Sequence, residues 1–307
     1  MEIRLLRYVM AVAEYRSFTQ AARHLHIAQP SLSQQIAQLE HTLGMRLFVR
    51  GPGPVTLTAD GRYFIQKAAP IVQLHEDMAR ALHERQMGMG TELVIGSPAI
   101  TGGHLLPPVL SEYRARFPRV HVQWVEEVPE TLENLLVHGT IDLAVLALPL
   151  QTNHLVTRPI LTEPILAVLP AHLAAWMDTA LQRIVAGGPE HFPLSQLTTA
   201  PFVLLKAGYG FRGTVLSLCA QSGFKPHTVY ETSNIEVAQA LVAQGHGVTL
   251  APAMVRQASS PRLVYRRLTG DPTRTLVFAY RADRYLSRTA TAFMDVMDSL
   301  ATSEPVA

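Results

Sequence analysis

Gln29, Pro30, Ser31, Ser33, Gln34 and Gln38 fall in one short stretch that contains no Glu or Lys. Apart from Pro30 they carry amides and hydroxyls, which both donate and accept hydrogen bonds. Such a set can match base edges in a major groove and phosphate oxygens beside it. The chemistry is recognition, and a helix must present it. At about 100° per residue, Leu32, Ile36, Leu39 and Leu43 share one face. Pro30, Gln34, Ala37, Gln38 and His41 then point the opposite way, with Ser31 and Ser33 flanking them. Pro30 suits a first turn and Gly44 suits the position past the last, although Ala28 offers no capping oxygen. Upstream, Ser17 and Gln20 have capping-box spacing, and Phe18, Ala21, Ala22 and Leu25 supply a buried stripe. Two short helices joined by a tight turn follow. An ordinary amphipathic hairpin would show the same stripes; the outer face lacks the Glu/Lys mixture that such a hairpin carries.

Residues 43–50 and 55–61 read as two short strands around a Gly-Pro turn, with Thr58 positioned to cap a further helix. Phe18-Thr19-Gln20-Ala21-Ala22, Gln29 through Ile36, Leu39-Glu40, Leu43-Gly44, Leu47-Phe48-Val49-Arg50 and Leu57-Thr58 together resemble the winged helix-turn-helix of LysR-type transcriptional regulators. The resemblance implies that Gln29, Pro30, Ser31, Ser33, Gln34 and Gln38 face DNA. It also implies that Arg50 reaches a phosphate or the minor groove from the wing. Gly51-Pro52-Gly53-Pro54 carries no basic residue where relatives often have one or two, which argues against a wing-tip contact in the minor groove.

At 307 residues the chain is long enough for two or three domains, and 48% hydrophobic residues give material for several cores. A net charge of +2 excludes a general polyanion binder. Six arginines against three glutamates in residues 1–58 leave a modest local excess for phosphate. Cys219 is the single cysteine, so the dithiol peroxide switch of some LysR relatives is excluded. No leader-like segment and no run of about 18 apolar residues occurs, so a cytoplasmic, membrane-free protein is expected.

A long helical pattern runs from Ala59 to Met87, with Phe64, Ile71 and Met78 seven apart and Ala68, Leu74 and Leu82 between them. Such a near-heptad stripe suits packing on one lobe or a dimer seam; the resemblance implies the seam. Pro70 removes one backbone bond and should kink the helix, and Gly88 and Gly90 mark a hinge. Beyond Thr91 strands and helices alternate. Strands at 93–96, 120–125 and 141–146 give a first βαβαβ series; 165–169, 202–205, 228–231 and 248–251 give a second. Strand 275–280 and helix 287–300 return to the first lobe. The expected architecture is an α+β multidomain chain: a winged helix-turn-helix (1–58), a linker helix and hinge (59–90), and two α/β lobes resembling periplasmic solute-binding proteins. The lobes take 91–162 with 269–307, and 163–268.

Ligands in open parallel sheets sit beyond the strands' carboxyl ends, near helix N-termini. That rule selects Ile100, Thr101, Pro129, Ala147 and Leu148 in the first lobe, and Lys206, Ala207, Ser233 and Asn234 in the second. Thr101 and Ser233 offer donors and Lys206 a charge, which favours a small carboxylate effector. Simple helix capping explains the hydroxyls equally, and a solvated surface lysine explains Lys206. Ala147 stands where some relatives carry a basic residue, which weakens the case for a strongly acidic effector.

Gly208-Tyr209-Gly210-Phe211-Arg212-Gly213 is a literal G-x-G-x-x-G with Glu231 about twenty residues on, as an NAD(P)-binding enzyme would have. A tight turn beside the effector cleft explains it better, since the nearby crossover leaves little room for a complete dinucleotide fold. No Walker A, G-x-S-x-G or H-E-x-x-H occurs. His24/His26 and His75/His83 lack metal-ligand spacing. No catalytic residue, metal or cofactor is expected. The expected function is an effector-controlled, sequence-specific transcriptional regulator that acts on promoter DNA as a homodimer or homotetramer, with RNA polymerase a further partner.

Overall fold

Ser17 Oγ accepts a hydrogen bond from the Gln20 amide at 3.3 Å, so the capping residue read from the sequence starts its helix as expected. The computed structural model describes residues 2–49, 51, 53–87, 90–257 and 260–301. Arg50, Pro52 and Gly88, singled out above for the wing and the hinge, lie outside that set. The chain divides into two compact units, Met1–Gly88 and Met89–Ala307.

The first unit holds α1 (Ile3–Tyr15), α2 (Phe18–His24), α3 (Gln29–Leu43), the hairpin of β1 (Phe48–Val49) with β2 (Thr56–Leu57), and α4 (Ala59–Met87). Val9, Val12, Ala21, Leu32, Ile36, Leu39, Leu47 and Phe48 form its core. Gly61 lets the start of α4 press on the wing strand, because a Cβ there would lie 2.0 Å from the Leu47 carbonyl oxygen. The α4 stripe divides. Ala68 and Val72 are buried with Leu6 of α1, and Phe64 packs beside them. Ile71, Leu74, Met78 and Leu82 remain exposed. The helix continues through Pro70. The heptad pattern thus combines a face buried against α1 with an exposed one.

The second unit runs β3 (Glu92–Ser97), α5 (Ala99–Arg116), β4 (His121–Glu126), α6 (Pro129–His138), β5 (Leu143–Ala147), β6 (Leu155–Pro170), α7 (Thr179–Val185), β7 (His191–Phe192), β8 (Pro201–Leu205), α8 (Gly210–Gln221), β9 (His227–Thr232), α9 (Ile235–Ala243), β10 (Thr249–Pro252), β11 (Leu263–Leu268), β12 (Thr273–Arg281) and α10 (Arg288–Ala301). In the first lobe β4, β3 and β5 are parallel, and β12 joins β5 antiparallel. Its two faces are filled by Leu93, Ile95, Tyr113 and Phe293 on one side and by Leu132, Leu136 and Ile141 on the other. In the second lobe β8 and β9 are parallel, and a separate core gathers Phe202, Val215, Ile235 and Leu250.

One strand corrects the sequence reading. The expected strand at 165–169 is the second half of β6, which begins at Leu155 and serves both lobes. It pairs with β12 as far as Pro164, then with β10 and β11 from Ile165 onward, antiparallel throughout. The second series is therefore mixed, not wholly parallel. Pro159 and Pro164 hid the first half, since prolines interrupt a strand pattern. An irregularity in the β12 pairing at Leu276/Val277 accommodates Pro159, which has no N–H to give.

Candidate functional site

The outward face of α3 follows from its own apolar stripe. Leu32, Ile36 and Leu39 are buried, which turns Gln29, Pro30, Ser31, Gln34, Ala37 and Gln38 outward, with Ser33 half-buried at the edge. Among the described residues, no side chain of Gln29, Ser31, Ser33, Gln34 or Gln38 is engaged in a hydrogen bond to another. The inward side is fixed by Glu40. Its buried carboxylate accepts from the Leu47 and Phe48 amides at 2.8 and 3.2 Å, tying the wing's first strand to the recognition helix.

The second site is a cleft of about 450 Å³ in the second unit. Ile100, Thr101, Pro129, Ala147, Leu148, Ser233 and Asn234 line it, drawn from both lobes. Lys206 and Ala207 do not. The Lys206 amide donates to the Thr232 carbonyl at 2.8 Å, and Gly208 then turns the chain at φ +90°, so Tyr209, Gly210 and Phe211 reach the cavity in their place. Asn234 is committed to its own helix, accepting from the Glu236 and Val237 amides at 2.7 and 3.1 Å. Ser97 lies behind the wall and accepts from Trp124 Nε1 at 2.8 Å.

The cleft's cation is Arg274, at the start of β12, which the sequence reading missed. Its guanidinium is 6% exposed and bonds Glu163 at 2.7 and 2.8 Å, while Glu163 also accepts from the Met254 amide at 2.7 Å. Burial lowers the Arg274 pKa and the Glu163 carboxylate partly restores it. Only a sequence reading that carried β12 back beneath both lobes could have placed it here. Glu126, Glu127 and Glu133 also line the wall.

Four helices, α5, α6, α8 and α9, begin at the cleft. The residues preceding α5, α6 and α8 are Pro98, Val128 and Tyr209, and none provides a side-chain cap. The glycine-rich turn is no dinucleotide cradle. Glu231 pairs with Arg212 at 2.8 Å. A Cβ at Gly213 would meet nothing within 4 Å, so the third glycine is not there for close helix–strand packing.

Residues 3–62 match the bacterial regulatory helix-turn-helix protein of the lysR family, and residues 87–301 match the LysR substrate binding domain. The chain belongs to the LysR family of transcriptional regulators. It is 47% identical over 303 residues to the uncharacterized HTH-type transcriptional regulator YcgK of Bacillus subtilis (strain 168), covering 96% of this chain and 94% of that one. It is 31% identical to the Hca operon transcriptional activator HcaR of Escherichia coli (strain K12), with 92% of each chain covered. A solved variant of full-length OxyR from Pseudomonas aeruginosa shares the fold, with a TM-score of 0.71, 24% identity, and coverage of 97% of this chain and 98% of that one. LysR proteins are regulators, not enzymes; they bind promoter DNA and small-molecule effectors and form oligomers. Among the described residues, no helix is long and apolar enough to cross a membrane.

Proposed function

We propose that this LysR regulator reads a partly palindromic promoter site with Gln29, Pro30, Ser31, Ser33, Gln34 and Gln38, with Arg50 on the phosphates. The observation that carries this reading is the outward, unengaged amide and hydroxyl face of α3, set against a helix side that is wholly core. The exposed Ile71, Leu74, Met78 and Leu82 of α4 support pairing of subunits along that helix. The assembly on DNA is a dimer of dimers in the cytoplasm, with RNA polymerase a further partner.

The control element is the cleft, and its ligand is a small carboxylate. Three uncapped helix N-termini at one cavity favour negative charge, because unsatisfied backbone N–H groups and the helix dipole both attract it. Ligand held between the lobes changes their closure and so the spacing of the DNA-reading heads. The test is selection of preferred duplexes from a random pool by the full chain, repeated with small carboxylates present. A sequence preference that shifts or strengthens with one carboxylate supports the reading. Equal binding to all duplexes overturns it.

A further inference from the structure

The charged groups on the cleft wall are unequally committed. Glu133 is buried and accepts from the Gln151 and Thr152 amides at 3.0 and 2.8 Å. Arg274 is held by Glu163. Glu126 and Glu127, at the carboxyl end of β4, line the same cavity, are exposed, and bond or pair with no other described residue. Ala147 ends β5 without charge, and Lys206 is off the wall. The uncommitted side-chain charge facing the cavity is therefore negative. Beside it, Thr101 is only 2% exposed, lines the cavity, and its hydroxyl has no hydrogen-bond partner among the described residues. Pairing of Ser97 with Glu126 sets the entry to α5 next to the acids, on strands about 4.8 Å apart.

We propose that the effector is an amino-acid-like zwitterion. Its carboxylate sits at the uncapped start of α5 and accepts the Thr101 hydroxyl, and its ammonium group sits against Glu126 and Glu127. Its apolar remainder lies along Ile100, Leu148, Tyr209 and Phe211. A dicarboxylate would set its second negative group against two unpaired acids, so the same wall that accepts an amine rejects a dianion. The proposal rests on the cleft being the effector site.

The test is thermal unfolding of the full-length protein with the standard amino acids, their des-amino acids, the matching amines and short dicarboxylates at equal concentration. A saturable rise in midpoint is expected only from compounds carrying both groups. For the tightest, removal of either group should raise Kd at least about tenfold, or 1.4 kcal/mol. In the Glu126→Gln/Glu127→Gln double variant the penalty for removing the amine should vanish, because no ammonium partner remains. Equal stabilisation by amine-free acids or dicarboxylates overturns the zwitterion and leaves the cleft as effector site. Undiminished amine preference in the double variant overturns the assignment to these two glutamates. No stabilisation by any class, together with unchanged DNA binding, overturns the zwitterion and the cleft reading alike.

Discussion

The recognition face of α3 and the wall of the cleft differ in what their polar groups are doing before any partner arrives. On the α3 face Gln29, Ser31, Gln34 and Gln38 are exposed and, like half-buried Ser33, have side chains that bond no other described residue, while the opposite side of the same helix forms the core. In the cleft, Arg274, Glu133 and Asn234 already hold other parts of the protein, and the backbone ends of helices face the cavity. Recognition and stability are thus separable on α3, whereas in the cleft they are entangled except at Glu126, Glu127 and Thr101. Substitutions can test that contrast.

The largest effect should come from Glu163→Ala. It strands a buried guanidinium and an amide, and breaking a buried pair on one side costs about 3–5 kcal/mol. Calorimetry of the full chain should show the loss. A Glu163→Met/Arg274→Met double variant should recover much of it, since apolar groups of similar volume need no partner. An unchanged midpoint for Glu163→Ala would mean the cleft's buried ion pair holds as little of the fold together as the polar groups on the outward face of α3.

Next is Glu40→Ala, which lies on α3 but on its inward side. It leaves the Leu47 and Phe48 amides without their acceptor, an expected loss of about 2–3 kcal/mol read by chemical denaturation. Gln34→Ala, less than two turns away, should leave the midpoint unchanged while weakening specific DNA binding by about 1–3 kcal/mol per lost base contact. Ser33→Ala should act likewise. If Gln34→Ala destabilises as Glu40→Ala does, the two sides of the helix are not separable. If both Gln34→Ala and Ser33→Ala retain full operator affinity, the proposed reading face is elsewhere.

The same contrast governs what could be read from the sequence. The recognition helix was legible because cap, stripe and outer face fall within one local period, so Ser17, Leu32, Ile36 and Gln34 each sit as their spacing requires. The lobes' strands were legible as apolar runs, but β6 was half hidden by its prolines, and its double role depends on partners a hundred residues downstream. The cleft was legible only where a strand end meets a helix start, at Ile100, Thr101, Pro129, Ala147, Leu148, Ser233 and Asn234. Lys206 failed the rule because a single turn at Gly208 redirects the chain, and Arg274 escaped it because it stands at the beginning of a strand.

Cys219 carries the smallest effect and sharpens the comparison from the cleft side. It lies on α8, whose N-terminus borders the cavity, but the thiol is fully buried in the second lobe's core. Burial pushes its pKa from 9.0 up to about 11, so it holds its proton and has little thiolate to offer an oxidant at neutral pH. The folded protein keeps that proton to higher pH than the unfolded chain does. Its contribution to stability is therefore intact below pH 9 and is lost as pH rises from about 9 to about 11. The stability difference between the native chain and Cys219→Ala should be constant up to pH 9 and then narrow. An aromatic disulfide reagent at pH 8 should label no thiol until denaturant is added. Rapid labelling of the folded chain, or altered DNA binding on peroxide treatment that Cys219→Ala abolishes, would make this lobe a redox sensor and end the view of the cleft domain as a ligand receptor alone.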